Sequence, residues 1–219
     1  MGIIFDLDGT LINSLGVHRD SVKRGFDTVL GKNRVTASFV AENIRYPFSM
    51  LIKNLRRNGI EITDKDAMLV LSTADRYMTL KKISEGVKFF RGAKEVISLI
   101  RSTGINYCIA TSMDDAEVKN TIRALSLSSL GTMIINSKNR RREKPDPYLL
   151  NIAIRETGMN RAHTCYIGDS KFDFLAARRA KIGFLGVFNR RELSGKGQFF
   201  GNLTTLRKYI EKNAGLFFD

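Results

Sequence analysis

Two aspartates directly follow a short apolar run at the start of the chain. The run Gly2-Ile3-Ile4-Phe5 predicts a buried strand, and Asp6-Leu7-Asp8-Gly9-Thr10 comes directly after it. Because side chains alternate along a strand with a period of two, Asp6 and Asp8 are expected on the same side. Open α/β folds bind their ligands at the carboxyl edge of the sheet, where this strand ends. Two negative charges at such an edge require a cation, a shared proton or a role in catalysis.

Strand and helix patterns alternate from Gly92 onward. Helices are predicted at 93–102, 114–125, 146–157, 172–180 and 203–212, and strands at 106–110, 132–135, 164–167 and 182–187. The stretch 188–202 contains three glycines and predicts a long loop. Repeated strand–helix units predict an α/β fold, a Rossmann-like and mostly parallel sheet with helices on both faces.

The segment between the first and second predicted strands is wholly helical in pattern. Apolar residues recur with helical spacing at 17–30, 39–44, 48–55 and 67–78, and Gly31, Pro47 and Gly59 separate these stretches. Four helices are too many for an ordinary crossover between neighbouring strands. We therefore predict an inserted α-helical cap domain at 14–90, and a core domain formed by 1–13 and 91–219.

Cysteine content and hydropathy bear on the cellular compartment. Cys108 and Cys165 lie in predicted strands with no CxxC or Cys/His spacing, as expected of buried apolar residues in a reducing compartment. No apolar run approaches the ~18 residues that span a membrane. Because the first strand begins at Gly2, no signal peptide is expected. We expect a cytoplasmic protein with no membrane contact.

The chain is strongly basic. Its 36 Lys and Arg residues against 22 Asp and Glu give a net charge of +14, which favours an anionic substrate or nucleic acid without identifying either. The excess is spread along the chain, with one dense cluster: Lys138, Arg140, Arg141, Arg142 and Lys144. We expect this cluster near the rim of the active site, because it leads directly into Lys144.

Further polar residues fall at the predicted ends of other strands. Thr111 and Ser112 end the second core strand, where a hydroxyl and backbone amides could hold a phosphate or could simply begin a helix. Lys144 precedes a proline, which favours an extended backbone there. Asp169 and Asp173 follow another strand. Four carboxylates on one rim require a divalent cation, and all-oxygen ligands favour Mg²⁺.

In order and spacing, these residues resemble the four motifs of the haloacid dehalogenase superfamily. The motifs correspond to 6–10, Thr111, Lys144, and Gly168-Asp169 with Asp173. The helical insert is similar to the cap of the branch that includes phosphoglycolate phosphatases and β-phosphoglucomutases. The sequence departs from the common pattern at Asn13, Lys181 and 89–92, positions that carry no catalytic group.

The resemblance implies a role for each of these residues. Asp6 would be the nucleophile that forms an aspartyl-phosphate, and Asp8 the general acid and base. Mg²⁺ would be held by Asp6, the Asp8 carbonyl and Asp169, with Asp173 in support. The phosphoryl oxygens would be bound by Thr111, Ser112 and Lys144. An acid at Asp8 favours phosphoryl transfer over dehalogenation, because a departing halide needs no proton.

The predicted activity is therefore a Mg²⁺-dependent phosphatase acting on a small phosphorylated metabolite. A sugar phosphomutase is the nearest alternative, and a nucleic-acid-binding protein or polynucleotide-end phosphatase is a more distant one. The substrate's remaining groups are expected to meet cap residues, for which the sequence offers His18, Arg45, Lys53, Arg56 and Arg57. A monomer and a homodimer are both compatible with the sequence.

Overall fold

The computed structural model describes residues 1–81, 87–113, 115–125, 131–136, 142–188 and 197–213. The chain divides into two compact units. One comprises Met1–Asn13 with Lys88–Asp219, and the other Ser14–Val87. The sequence-based limits of the helical insertion are 14 and 90. We refer below to the core unit and the helical unit.

A parallel sheet forms the centre of the core unit. In the described ranges it has six strands in the order β3-β2-β1-β4-β5-β6, and each neighbouring pair is parallel. The strands are β1 (Gly2–Asp6), β2 (Asn106–Thr111), β3 (Met133–Asn136), β4 (Thr164–Gly168), β5 (Gly183–Val187) and β6 (Gln198–Phe200). The central strand β1 is buried along its whole length between β2 and β4. The predicted α/β fold is confirmed, and its parallel strands bring their carboxyl ends to one edge.

Helices alternate with most strands of the core unit along the chain. They are α5 (Ala93–Ser102), α6 (Asp115–Leu125), α7 (Tyr148–Thr157), α8 (Lys171–Ala180) and α9 (Leu203–Lys212). Helix α7 begins after Pro147, two residues later than predicted, and the Asp146 carboxylate accepts a hydrogen bond from Tyr148 N at 2.8 Å. Helix α8 ends at Ala180, and the following Lys181 caps it in the left-handed conformation.

The prediction of an uninterrupted loop at 188–202 is wrong for residues 198–200. These residues form β6, which pairs with β5 at one edge of the sheet. A strand of three residues between Gly197 and Gly201 is too short to show a period of two. Its stability comes from tertiary contacts, since the Phe199 ring lies 6.2 Å from that of Phe184. Residues 189–196 of the predicted loop lie outside the described ranges.

The helical unit contains four helices in its described part: α1 (Leu15–Leu30), α2 (Ala37–Asn43), α3 (Phe48–Arg57) and α4 (Asp64–Lys81). A separate apolar cluster holds them together, with Phe26, Val40, Leu55 and Val70 among its fully buried members. Helices α1 and α4 approach closely at Gly25, where a Cβ would lie 2.7 Å from the Val70 carbonyl oxygen. Within the described residues, no helix combines the length and apolarity needed to cross a membrane.

The two chain segments that lead into and out of the helical unit pair with each other. Ile12 and Phe89 form an antiparallel bridge. Asn13 N donates to the Lys88 carbonyl at 2.9 Å, and Phe90 N donates to the Leu11 carbonyl at 2.9 Å. The chain therefore leaves the sheet and returns to it at adjacent points.

Candidate active site

Asp6 stands at the end of β1 with both carboxylate oxygens engaged. Lys144 Nζ lies 2.6 Å from Asp6 Oδ1, and Thr10 Oγ1 donates to Asp6 Oδ2 at 3.0 Å. Asp6 and Thr10 are buried, and Lys144 is largely so. The Lys144–Pro145 peptide bond is cis. A lysine that is distant in sequence is thus held directly against the first aspartate.

Asp173, in the first turn of α8, accepts hydrogen bonds from four donors. Oδ1 receives Lys144 Nζ at 2.7 Å and the Tyr166 hydroxyl at 3.0 Å. Oδ2 receives the Ser170 amide at 3.0 Å and the Ser170 hydroxyl, in a capping box that begins α8. A carboxylate has about four acceptor positions. The protein itself therefore satisfies Asp173, and Lys144 bridges Asp173 to Asp6.

Asp169 completes a buried carboxylate cluster. Oxygens of Asp6, Asp169 and Asp173 all lie within 4.8 Å of one another, and all three residues are buried. The turn after β1 approaches Asp169 so closely that a Cβ on Gly9 would lie 2.8 Å from Asp169 Oδ2. Gly9 also has φ of +81°, a conformation suited to glycine. Hard oxygen donors gathered in this way fit Mg²⁺.

Burial and neighbouring charges change the protonation of these groups. Burial, the largest influence, raises the pKa of Asp6 from 3.8 to about 7, although Lys144 opposes that rise. The charges of Asp173 and Asp169 add to it. Burial acts in the same direction on Asp173, but the Lys144 charge and the hydrogen bonds hold its pKa below the usual value. Lys144 and Asp173 therefore form a charged pair, whereas Asp6 holds a proton more readily than an ordinary aspartate.

The remaining predicted residues of the core unit lie at the same edge. Thr111 ends β2 and is buried, with its hydroxyl oxygen accepting from Met113 N at 3.3 Å, and Ser112 beside it is exposed. Asp8 is half-buried in the turn after β1, where it forms a bridge with Ile12. Its carboxylate is not a member of the cluster formed by Asp6, Asp169 and Asp173.

The predicted cap residues differ in their surroundings. The Arg56 guanidinium is committed within the helical unit, to the Ile62 carbonyl at 3.0 Å and Asp64 Oδ1 at 2.6 Å. Lys53 and Arg57 are exposed, whereas His18 and Arg45 are half-buried. The charge of Arg56 thus helps to join α3 to the start of α4.

The predicted position of the basic cluster stays a prediction for most of its members. Lys138, Arg140 and Arg141 lie outside the described residues. Arg142 is described: its Nε lies 3.2 Å from Asp146 Oδ2, and its guanidinium lies 4.6 Å from the centre of the Tyr148 ring.

Sequence reasoning missed several residues that contact the site. Tyr166 looked like one more apolar residue of a buried strand, and Ser170 like an ordinary residue between two motif aspartates. Thr10 was included in the first motif, but its hydrogen bond to Asp6 was not foreseen. A hydroxyl-bearing residue two or three positions from a motif aspartate was the available signal.

The chain belongs to the haloacid dehalogenase-like hydrolase family, whose model matches residues 3–187. The predictions of this family and of an enzyme are confirmed. A phosphoglycolate phosphatase of Photobacterium profundum is 26% identical over 189 residues, covering 84% of this chain and 82% of that protein.

Solved structures agree with the fold. A hydrolase from Pseudomonas syringae has a TM-score of 0.81 at 24% identity, covering 97% of this chain and 98% of the other. CbbY from Rhodobacter sphaeroides in complex with phosphate has a TM-score of 0.74 at 19% identity, covering 94% and 95%.

Proposed function

We propose that the protein is a Mg²⁺-dependent phosphatase that hydrolyses a small phosphate monoester through an aspartyl-phosphate. The observation that carries the proposal is the contact of 2.6 Å between Lys144 Nζ and Asp6 Oδ1 inside a buried carboxylate cluster. A buried aspartate beside a lysine can attack a phosphoryl group, because positive charge offsets the repulsion between the two anions. The phosphatase name of the Photobacterium profundum relative supports the same activity.

Two transfer steps account for the overall hydrolysis. An Asp6 carboxylate oxygen forms a bond to phosphorus while the ester P–O bond breaks, and Asp8 donates a proton to the departing alkoxide. Asp8, now a carboxylate, then takes a proton from water as the water oxygen attacks phosphorus. The bond between phosphorus and the Asp6 oxygen breaks, which frees inorganic phosphate and restores the Asp6 carboxylate, and Asp8 is again protonated.

The carboxylate cluster would hold Mg²⁺ through Asp6, Asp169 and the backbone carbonyl of Asp8. Asp173 would support this site indirectly, by holding Lys144, since protein donors satisfy its own oxygens. When bound, the ion would supply positive charge opposite the phosphoryl oxygens.

Three groups of the core unit would bind the phosphoryl oxygens. Because the Thr111 oxygen accepts from Met113 N, its hydroxyl hydrogen is left to donate to a phosphoryl oxygen. The Ser112 amide would be a second donor at this strand end. The Lys144 ammonium, held by Asp6 and Asp173, would place a positive charge beside the phosphoryl oxygens.

The helical unit would act as a mobile cap that excludes water and selects the substrate. Its division from the core unit at Ser14 and Val87 supports this role. Exposed Lys53 and Arg57, with half-buried His18 and Arg45, would meet the groups of the substrate beyond its phosphate. We also propose a cytoplasmic location, in keeping with the free, buried thiols of Cys108 and Cys165.

A phosphate-release screen over a panel of phosphorylated metabolites tests the proposal. The purified protein is assayed with Mg²⁺ and with EDTA, and Asp6→Asn serves as the matched control. We expect release from at least one small monoester, lost with EDTA and absent in the variant. Release that persists in EDTA or in Asp6→Asn would contradict the proposal.

The same panel separates the alternatives. Interconversion of sugar phosphates without net phosphate release would favour a phosphomutase. Hydrolysis restricted to phosphorylated ends of oligonucleotides, or tight oligonucleotide binding with no hydrolysis, would favour the nucleic-acid alternatives that the charge of +14 suggests.

A further inference from the structure

Tyr166 on β4 is a polar residue that the proposed chemistry does not use. Its side chain is fully buried among Ile4, Cys108, Ala110 and other members of an apolar cluster. Among the described members of that cluster, Tyr166 is the one that carries a hydroxyl. A phenylalanine would suit the apolar neighbours as well, so packing alone does not explain the phenol.

The hydroxyl and the ring of Tyr166 both reach the pair formed by Lys144 and Asp173. The hydroxyl donates to Asp173 Oδ1 at 3.0 Å, the same oxygen that Lys144 Nζ contacts at 2.7 Å. Lys144 Nζ also lies 5.5 Å from the centre of the Tyr166 ring, within the range of a cation–π interaction. Tyr166 therefore acts on Lys144 in two ways, indirectly through Asp173 and directly through its ring.

The register of the sheet explains how Tyr166 comes to this position. Tyr166 is paired with Ile4, two residues before Asp6 on the neighbouring strand. Because side chains alternate, Ile4 and Asp6 share a face, and Tyr166 lies on that face beside them. The phenol is thus fixed by the sheet itself, whereas the four-carbon stem of Lys144 is flexible.

We infer that Tyr166 is a positioning residue for Lys144. Its hydroxyl orients the Asp173 carboxylate and occupies part of Oδ1, so that Asp173 holds Lys144 without drawing the ammonium away from Asp6. The ring limits movement of the ammonium toward the strand. The ammonium is thereby held at the place where a phosphoryl oxygen would bind, a step that rests on the proposed function.

Tyr166→Phe removes the hydroxyl and keeps the ring, and Tyr107→Phe makes the same change on β2, which β1 separates from β4. Tyr107 is half-buried near the amino end of its strand and serves as the matched control. We expect kcat of Tyr166→Phe to fall about tenfold, which is typical of losing one hydrogen bond to a charged group, with KM changed less than twofold. Tyr107→Phe should keep kcat within twofold.

A second measurement reports on Lys144 without any turnover. In ¹⁵N-labelled protein free of metal and substrate, the buried and hydrogen-bonded Lys144 ammonium should give a resolved ¹H–¹⁵N signal, assigned by its loss in Lys144→Met. We expect Tyr166→Phe to shift or broaden this signal and Tyr107→Phe to leave it unchanged.

These two measurements decide the inference separately from the proposed function. A signal unchanged in Tyr166→Phe overturns the positioning role, whether or not kcat falls, because the hydroxyl would then serve stability alone. An altered signal with normal kcat also overturns it when the wild type is active. If the wild type hydrolyses no phosphate ester, the proposed function fails, and the ammonium signal alone decides whether Tyr166 positions Lys144.

Discussion

The carboxyl edge of the sheet and the interior of the helical unit are both buried, yet they are built from opposite kinds of residue. The edge holds the charged side chains of Asp6, Asp169 and Asp173 with Lys144 among them. The interior of the helical unit is an apolar cluster, and ion pairs of this unit such as Lys23–Asp27 are partly exposed. Burying charge is costly unless the charges are paired or bind a cation. The difference therefore marks the edge as the place of chemistry and the helical interior as a place of packing.

The largest effect should come from removing Asp6, the proposed nucleophile at the edge. Asp6→Asn keeps the shape of the side chain but leaves no carboxylate to attack phosphorus, so the rate should fall at least ~1,000-fold. Steady-state phosphate release with Mg²⁺ measures it, and circular dichroism verifies the fold. Retention of more than a few per cent of the activity would remove Asp6 from the nucleophile role.

Asp8→Asn should slow turnover by ~10²–10⁴-fold, because an amide can neither protonate a leaving group nor activate water. With a substrate whose leaving group needs no proton, Asp6 should still become phosphorylated and the phospho-enzyme should persist. Rapid-quench trapping measures it, with Asp6→Asn as the control that traps nothing. Loss of activity with no trapped phospho-enzyme would argue against Asp8 as the base for hydrolysis.

The raised pKa of Asp6 should also make the stability of the protein depend on pH. Because the pKa of Asp6 rises from 3.8 unfolded to about 7 folded, the folded state retains a proton between these values and loses stability as pH rises through them. Asn does not titrate, so Asp6→Asn should gain nothing near pH 4 and roughly 4 kcal/mol above pH 7. Urea unfolding in EDTA across this range measures the gain. A gain in stability that does not change with pH would contradict the raised pKa of Asp6.

The helical interior should respond through packing alone. Leu55→Ala in the cluster should destabilise the protein by about 3 kcal/mol, by loss of buried surface and creation of a cavity. Leu69→Ala on α4 makes the same change at a side chain that is 53% exposed and should cost less than about 0.5 kcal/mol. Urea unfolding measures both variants. Equal costs at the two positions would mean that the cluster does not stabilise the helical unit.

The smallest effect should come from Arg142, a described member of the basic cluster that lies outside the carboxylate cluster. Arg142→Ser should lower kcat/KM less than threefold and weaken its dependence on salt, because screening over ~8 Å limits long-range attraction of anions. Contact with Asp146 already offsets part of this charge. Lys208→Ser on α9 is the control with the same charge change. A large fall in kcat would place Arg142 in direct contact with the substrate.

The sequence predicted the elements of the core unit well because their signals are local. Helix α5 and helix α9 begin and end where the apolar spacing predicts, and β4 differs from its prediction by one residue. Strand β6 was missed because a three-residue strand depends on its neighbour β5 rather than on its own pattern. Helix α7 was placed too early because Asp146 and Pro147 form a turn before it.

The site was predictable where a motif specifies side chains, and less so where packing does. The ends of β1 and β4 indicated Asp6 and Asp169 from spacing alone. No spacing rule connects Tyr166 with Lys144, because the contact forms only when β4 and the segment before α7 come together in the fold. In the helical unit, the pattern predicted helices but not that Arg56 binds the Ile62 carbonyl, because such a contact depends on how α3 meets the following loop.

The helical unit is an insertion whose two ends lie side by side, because the segments at Ile12 and Phe89 pair with each other. The chain leaves the core unit at Asn13 and returns at Lys88, where a backbone hydrogen bond of 2.9 Å joins the two residues. The entropy lost in closing a flexible loop grows only with the logarithm of its length, by about 0.6 kcal/mol for each doubling. The sheet can therefore accept inserts of very different size at this point while Asp6 and Lys144 keep their places. Under the proposed function, the unit that selects the substrate could therefore change without moving the residues that carry out the phosphoryl chemistry.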